Sequence, residues 1–295
     1  MNLQNQLSQD GHLNEARTDA HVDLGALSHQ GHVRENNEDS YLVCRFGRSL
    51  ENLITNLDDE LLEQSYTVTG YGMLVADGMG GMAGGEIASR LALSKLVELV
   101  VDTSDWVLSL KQQKDVNTVL DRMTDRFLQI DSAVRREADH DYTLQGMGTT
   151  LTVAAVLGSD LLVGHVGDSR AYLLHGSTLK QLTTDHTLAQ ALIDAGVADP
   201  DDPASRSMRH VLTAAVGSLG QEVEPQVQRF KLERGDQLLL CTDGLTETVE
   251  DSTIAHVLQD AASAQSACQA LVDLALAGGG TDNVTVVVAR FAYSE

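Results

Sequence analysis

Residues 284–291 read Val-Thr-Val-Val-Val-Ala-Arg-Phe, a mostly apolar run in which β-branched side chains occupy both faces of an extended chain. Residues 237–241, Gln-Leu-Leu-Leu-Cys, have the same character over a shorter stretch. Strands that are apolar on both faces belong to sheets that are covered on both sides. These two stretches therefore predict a layered fold whose sheets lie between other layers.

Outward from these strands, apolar runs alternate with helical patterns along the chain. Further strand candidates span residues 22–27, 40–46, 72–76, 149–157, 161–166 and 171–174. Apolar residues at helical spacing predict long amphipathic helices over 87–100 and 116–134, and another helix over about 262–277. Closely spaced strand pairs favour antiparallel pairing over a regular βαβ arrangement. The expected fold class is α+β, with stacked antiparallel sheets flanked by helices.

The 295 residues are enough for one large domain, and no Pro/Ser/Gly-rich linker divides them. We expect a mobile N-terminal tail over residues 1–21 and a single domain over residues 22–295. Two segments look like additions to this domain. Residues 47–70 separate two strands widely, and their acidic patch at 57–63 predicts a short exposed helix. Residues 187–216, called the flap below, combine a short helical pattern with a surface loop.

The composition excludes several classes of partner. With 43 acidic and 20 basic residues, the formal net charge is -23, which repels nucleic-acid phosphates and anionic lipid surfaces. Aromatic residues make up only 4% of the chain, too few for the base-stacking platforms of single-strand binders. Neither a secretory signal nor an apolar run near the roughly 20 residues of a membrane span is visible, so we expect a cytoplasmic protein without a membrane partner. The widely spaced Cys44, Cys241 and Cys268 fit free thiols.

Aspartates recur at the ends of apolar strands. The four are Asp77, Asp168, Asp243 and Asp282. Each one alone is typical of a turn. If the ends of packed sheets converge at one rim, however, four carboxylates there would repel one another unless cations neutralised them. Oxygen ligands without a His-Cys cluster select hard divalent ions such as Mg²⁺ or Mn²⁺. Paired ions of this kind promote attack on phosphorus, so the pattern predicts a multinuclear metal site for phosphoester hydrolysis.

The segment GHVRENNEDS, residues 31–40, supplies the other groups that such a site needs. The guanidinium of Arg34 can hold two phosphate oxygens in a fork. Glu38 and Asp39 follow on the same segment and can accept hydrogen bonds from waters on the ions. We therefore expect Arg34 to bind the substrate phosphate.

With these motifs the chain resembles the metal-dependent PPM, or PP2C-type, protein serine/threonine phosphatases in their compact bacterial form. The resemblance covers about residues 22–292 and follows the family's order of motifs, which here read GHVRENNEDS, VADGMGG followed by GGE, GTTL, VGHVGDSRAYLL, LTTDHT, LTAAVG, LLLCTDGLTE and GGTDNVTVVV. It implies an αββα sandwich of two antiparallel sheets flanked by helix pairs. It also implies hydrolysis of phosphoserine and phosphothreonine in proteins by a water that bridges two Mn²⁺ or Mg²⁺ ions.

The resemblance implies a role for each aspartate. Asp77 would bridge the two ions as a catalytic and metal-binding residue, and the carbonyl of Gly78 would complete one ion. Asp243 and Asp282 would hold the other ion. Asp168, together with Asp243, matches the family's position for a third ion.

The resemblance also implies roles for the GHVRENNEDS segment and for partners. Arg34 matches the phosphate-binding arginine of the catalytic site, while Glu38 and Asp39 match acids that surround the ions. The partners would be phosphoproteins, as substrates or as the autophosphorylated form of a serine/threonine kinase. We expect a monomer that binds no nucleic acid.

Two residues depart from the family pattern. Animal members carry a histidine, a proposed general acid, where this chain has Met79, and many bacterial members carry one where it has Met82. Methionine cannot donate a proton, so a metal-bound water is the preferred acid for the leaving serine or threonine oxygen. His186, in the DHT motif, is interpreted as a structural residue.

Three alternatives remain at the level of sequence. Residues 78–83 fit the G-x-G-x-x-A pattern of dinucleotide-binding enzymes, although the carboxylate of Asp77 would face the pyrophosphate. A non-catalytic phosphoprotein-binding or scaffold member of the same fold is the second. A phosphatase of sigma-factor partner-switching regulators is the third, and the flap motifs argue against it because those enzymes generally lack them.

Overall fold

The computed structural model describes residues 20–51, 65–80, 84–102, 116–199, 202, 205, 207–218 and 223–293. Within them lie two antiparallel sheets. The first contains, in spatial order, β1 (Ala20–His29), β11 (Val284–Tyr293), β10 (Gln237–Cys241), β7 (Arg170–His175) and β8 (Thr178–Gln181). The second contains β2 (Asp39–Glu51), β3 (Ser65–Met79), β5 (Leu151–Leu157), β6 (Asp160–Val166) and β9 (Gln226–Lys231), with β4 (Gly148–Thr149) paired to the end of β3.

Six α-helices lie within the same described residues. They are α1 (Gly84–Asp102), α2 (Val116–His140), α3 (Leu188–Asp194), α4 (Asp243–Thr246), α5 (Asp251–Asp260) and α6 (Ala264–Ala277). A 3₁₀ turn at Tyr142–Leu144 follows α2. None of these helices combines the length and the apolar composition that a bilayer crossing requires.

Three apolar clusters define four layers. One cluster joins α1 and α2 to the second sheet, with Phe127 of α2 and Leu74 of β3 among its members. A second joins α5 and α6 to the first sheet and includes Leu271 of α6. The third lies between the sheets, where Leu240 of β10 and Val75 of β3 are fully buried. Each fully buried leucine or phenylalanine contributes about 1.5–3 kcal/mol, so burial of these faces holds the layers together. The order α, β, β, α confirms the expected sandwich.

Close backbone approaches fix how the helices sit on the sheets. α6 begins with a capping box between Ser263 and Ser266, and its first turn lies against β1. A Cβ on Gly25 of β1 would stand 2.5 Å from the backbone of Ala264. Likewise, a Cβ on Gly164 of β6 would stand 2.6 Å from Met123 Cε of α2. Gly25 therefore has no room for a side chain against the backbone of α6, and Gly164 leaves the space that the end of the Met123 side chain occupies.

The structure agrees with most of the sequence-based elements and corrects two boundaries. All eight predicted strands and the three long helical patterns are present, although the strand predicted over 149–157 is interrupted at Thr150. The elements β8, β9, α4 and α5 are not predicted by the sequence. Over the described part of residues 47–70, β2 and β3 extend beyond the predicted strands and pair as far as Glu51 and Ser65. That residues 47–70 are an addition to the domain stays a prediction. The predicted helix at 57–63 lies outside the described residues. The domain also begins earlier than residue 22, since β1 pairs with β11 from Ala20 onward.

Candidate metal centre

Five carboxylates from both sheets lie at one rim of the sandwich. Asp39 and Asp77 stand opposite each other in the β2–β3 pairing of the second sheet. Asp168 lies in the turn from β6 to β7, where the chain passes from one sheet to the other. Asp243 begins α4 just after β10, and Asp282 lies just before β11 of the first sheet. The rim is therefore built where the two sheets end together.

Burial and mutual repulsion determine the protonation of these acids. Burial raises the pKa of Asp77 well above its usual value, and the charges of Asp39, Asp243, Asp168 and Asp282 raise it further. The pKa of Asp243 is raised well above its usual value by burial and then by Asp168. Carboxylates placed this way cannot all ionise without protons or cations to balance them.

Asp39 is another buried acid whose ionised form is disfavoured, even though it accepts a hydrogen bond. Its Oδ2 accepts a hydrogen bond of 2.8 Å from the Thr242 hydroxyl, which joins the second sheet to the first. Burial nevertheless raises the pKa of Asp39 to about 7. Burial also raises the pKa of Asp168 to about 6, with further repulsion from Asp185.

Arg34, the cation that the sequence predicts to bind phosphate, lies beside this rim. Its Nη2 donates to Oδ2 of Asp282 over 2.5 Å, and its side chain is 55% exposed. The hydrogen bond with Asp282 is the main cause of the raised pKa of Arg34. Burial raises the pKa of the neighbouring Glu38, and Arg34 partly offsets this effect. Arg34 thus reaches the acids from the solvent side, where a phosphate would arrive.

Threonines behind the rim hold Asp77 in place. The Asp77 amide donates to Thr150 Oγ1 over 2.9 Å, and the Thr149 hydroxyl donates to the Asp77 carbonyl over 2.9 Å. Thr150 Oγ1 is in turn 2.7 Å from the Ser169 hydroxyl, next to Asp168. Because both bonds use the backbone of Asp77, its carboxylate is left to face the other acids.

Asn283 organises the loop on the opposite side. Its Oδ1 accepts from the Glu38 amide, and its Nδ2 donates to the carbonyls of Gln30 and Asn36. Its own amide donates to Oδ1 of Asp282 over 2.8 Å. One side chain thus ties the loop that carries Arg34 to the strand end that carries Asp282.

Gly78 is a glycine for a steric reason. A Cβ at this position would overlap the carbonyl of Gly85 at the start of α1. The Gly78 amide donates to the Glu38 carbonyl over 3.2 Å. The backbone of Gly78 is therefore packed tightly between Glu38 and Gly85, directly beside Asp77.

The donor set fits divalent cations. Asp39 Oδ1 and Asp243 Oδ1 are buried and have no hydrogen-bond partner among the residues that the structure describes. Unpaired buried carboxylate oxygens are costly, and a hard cation satisfies them. No three of the five described carboxylates bring one oxygen each within 4.8 Å of the others, so the acids surround a space wider than the shell of a single ion. This spread suits two ions that share ligands.

The residues considered as proton donors lie as follows. Met79, the last residue of β3, packs against Gly148, where a Cβ would stand 2.9 Å from Met79 Cε. Met82 lies outside the described residues. His186 Nδ1 accepts a hydrogen bond of 3.2 Å from the amide of Gly167, beside Asp168, a contact that agrees with a structural role.

Sequence reasoning missed a histidine at this rim. His210 Nδ1 lies 2.8 Å from Glu247 Oε1. His210, Glu247 and Asp243 each offer a donor atom within 4.8 Å of the others, the one such trio in the described part of the chain. The position of Glu247, four residues after Asp243, was the available signal, but nothing in the sequence brings the flap to it.

The sequence and the fold of this chain match those of known proteins. The family model described as protein phosphatase 2C matches residues 47–276. The chain belongs to the protein phosphatase 2C family. This membership agrees with the order of motifs and with the acids at the rim.

Two curated relatives in the protein phosphatase 2C family are bacterial. The serine/threonine protein phosphatase PstP of Mycobacterium tuberculosis is 37% identical over 275 residues, which cover 93% of this chain and 46% of PstP. The chain thus spans about half the length of PstP. The protein phosphatase PhpP of Streptococcus pneumoniae is 31% identical over 269 residues, covering 90% of this chain and 96% of PhpP.

A solved structure of the same family carries metal. The catalytic domain of PstP in complex with two manganese ions is similar to this chain with a TM-score of 0.70 and 33% identity, covering 92% of this chain and 98% of that one.

Proposed function

We propose that this protein hydrolyses phosphoserine and phosphothreonine in proteins with two divalent ions, Mn²⁺ or Mg²⁺. The observation that carries the proposal is Asp77, buried among four other acids with Arg34 at the solvent side. When bound, the ions would lower the pKa of an attacking water and neutralise charge on the phosphate. The names of PstP and PhpP support the reaction class.

The ligands would come from both sheets. We propose that Asp77 lies between the two ions, that the Gly78 carbonyl completes one, and that Asp243 and Asp282 hold the other. Asp168, with Asp243, would serve a third ion. The tight packing around Gly78 and the backbone bonds of Asp77 support these roles because they fix the donors before any ion binds.

Arg34 would orient the phosphate. Its guanidinium is tethered to Asp282 by Nη2 and is otherwise open to solvent, so its remaining N–H groups are available to phosphate oxygens. Glu38 and Asp39 would accept hydrogen bonds from waters around the ions. Met79 has no proton to donate, so we infer that water supplies the proton to the leaving serine or threonine oxygen.

The proposed partners are phosphoproteins, among them the autophosphorylated form of a serine/threonine kinase. Support comes from the serine/threonine phosphatase names of both curated relatives. The monomeric state and the cytoplasmic location stay predictions. A non-catalytic scaffold role is disfavoured because the complete set of acids is retained.

A turnover assay with a matched pair of variants tests this function. Phosphoserine and phosphothreonine peptides should be hydrolysed with Mn²⁺ or Mg²⁺ and not after chelation. Asp77→Asn should nearly abolish turnover, whereas Asp273→Asn, at an exposed position on α6, should leave it unchanged. Undiminished turnover after thorough metal removal, or in Asp77→Asn, would sink the proposal.

A further inference from the structure

The flap reaches the metal rim through one side chain. Its two ends are held by backbone pairing, from Thr187 to Leu212 and from Val216 to Thr149. Between these anchors, His210 extends to Glu247. His210 is exposed, and its contact with Glu247 links this part of the flap to the end of α4.

Asp243 and Glu247 lie close enough to His210 for the three side chains to bind one metal ion. They stand four residues apart across α4, and the Glu247 amide donates to the Asp243 carbonyl over 2.9 Å, so both side chains lie on one face of this turn. One donor atom from each of the three side chains falls within 4.8 Å of the others. Two ligands bound to one ion at about 2.1 Å are at most about 4.2 Å apart, so only a small contraction would close the group.

Independent evidence for a ligand here comes from Asp243. Its Oδ1 is buried and has no hydrogen-bond partner in the described part of the chain. Glu247 adds negative charge beside both Asp243 and Asp168. Arg170, the cation that faces Asp168, is already held by Asp185 through contacts of 2.6–3.1 Å. The group therefore carries excess negative charge, and one of its three members has a buried oxygen without a hydrogen-bond partner among the described residues.

We propose that a divalent transition-metal ion binds between His210, Glu247 and Asp243 and fastens the flap to the metal rim. This inference rests on the proposed function, since Asp243 is also a proposed ligand of the ions at the rim. Binding through Nδ1 uses the neutral tautomer of His210 that carries its proton on Nε2, so coordination of both side chains replaces the contact between His210 and Glu247. An imidazole ligand favours Mn²⁺, Co²⁺ or Zn²⁺ over Mg²⁺ at this position. The metal supplied thus determines whether the flap is held.

Metal titration of the whole chain tests the ligand assignment. Co²⁺ and Mn²⁺ binding should be followed by calorimetry and, for Co²⁺, by visible absorption. His210→Ala should weaken one ion by about ten-fold or more and change the Co²⁺ spectrum, because a nitrogen ligand is lost. The matched control is His256→Ala, which removes another exposed histidine, 3.6 Å from the carboxylate of Asp260 in α5. It should leave both readouts unchanged.

A second variant separates a ligand from a structural contact. His210→Asp replaces nitrogen with oxygen, so it should retain the additional Mn²⁺ while its Co²⁺ spectrum still changes. If His210 made only a structural contact, His210→Ala and His210→Asp would have the same Mn²⁺ affinity and the same Co²⁺ spectrum.

Limited digestion tests the fastening without using turnover. Trypsin cleavage after Arg209 should slow in the unmodified chain when Co²⁺ or Mn²⁺ is added, and should stay fast in His210→Ala. Equal affinities, spectra and cleavage rates for His210→Ala and the unmodified chain would overturn the proposal. Failure of the proposed function is recognised separately, as absence of metal-dependent peptide hydrolysis in the unmodified chain, because neither binding nor digestion depends on turnover.

Discussion

At the scale of single residues, the sequence predicts the acids of the rim but not the residues that hold them in place. Asp77 and Asp243 stand out because each follows an apolar strand and precedes glycine. Thr242 and Asn283 are adjacent to predicted ligands, yet their bonds to Asp39 and Glu38 join segments about 200 residues apart or more. Such pairings depend on the assembly of both sheets, so no local pattern could predict them.

Arg34 donates to Asp282 and is proposed to bind the substrate phosphate, which leads to a kinetic prediction. Arg34→Ala should raise KM for a phosphopeptide by about ten-fold or more, since hydrogen bonds to charged groups contribute about 1.5–3 kcal/mol. Steady-state kinetics and Mn²⁺ titration of the same samples check it. Metal affinity should change little, because Arg34 contacts Asp282 by only one nitrogen. Arg90→Ala, at an exposed arginine paired with Glu86, is a suitable control. An unchanged KM would remove Arg34 from the site.

Asp39 predicts how stability depends on pH without metal. Its pKa rises from about 3.9 in an unfolded chain to about 7 in the fold, so the fold favours the protonated form. The stabilisation of the fold by protonated Asp39 is complete below about pH 4 and is lost as the pH rises to about 7. The melting temperature of the metal-free protein should therefore fall more steeply between pH 5 and pH 8 than that of Asp39→Asn. Parallel curves for the two proteins would contradict the burial of a charged Asp39.

At the scale of elements, amphipathic helices and doubly apolar strands were predictable because tertiary packing reinforces their patterns. The strands β8 and β9 were missed because they are sheet-edge strands, short or only half-buried, with polar residues interspersed. The sequence does not predict how far β2 and β3 extend, because polar residues interrupt the apolar pattern over residues 47–51 and 65–70.

The flap carries a prediction about substrate choice. Shortening residues 199–207 should reduce turnover of phosphoprotein substrates more than hydrolysis of a small aryl phosphate, because the flap joins the rim at His210 and a small substrate needs only the acids and Arg34. Parallel assays on both substrates measure the ratio. An equal effect on the two would contradict a role in selecting protein substrates.

At the scale of the whole molecule, the acids predict that metal stabilises the fold. One ion at about 100 times its Kd adds roughly 2.7 kcal/mol. With roughly 2–4 °C per kcal/mol, Mn²⁺ should raise the melting temperature by several degrees. NaCl at matched ionic strength should give only part of this gain, since screening weakens repulsion without coordination. Asp77→Asn should shrink the Mn²⁺ effect. A Mn²⁺ shift no larger than the NaCl shift would contradict a clustered metal site.

The pairing of β1 with β11 also bears on how the protein is made. Among the described strands, β1 has β11 as its one neighbour in the first sheet, along ten paired positions that join residues 20–29 to residues 284–293. During synthesis, residues 20–29 emerge from the ribosome before residues 284–293 are made, so β1 must wait for its neighbour. The second sheet, built from residues 39–231, can assemble earlier. Completion of the first sheet, and with it the placement of Asp282, must therefore wait until residues 284–293 have been made, and ribosome-bound chains that end before β11 should remain open to proteases in β1.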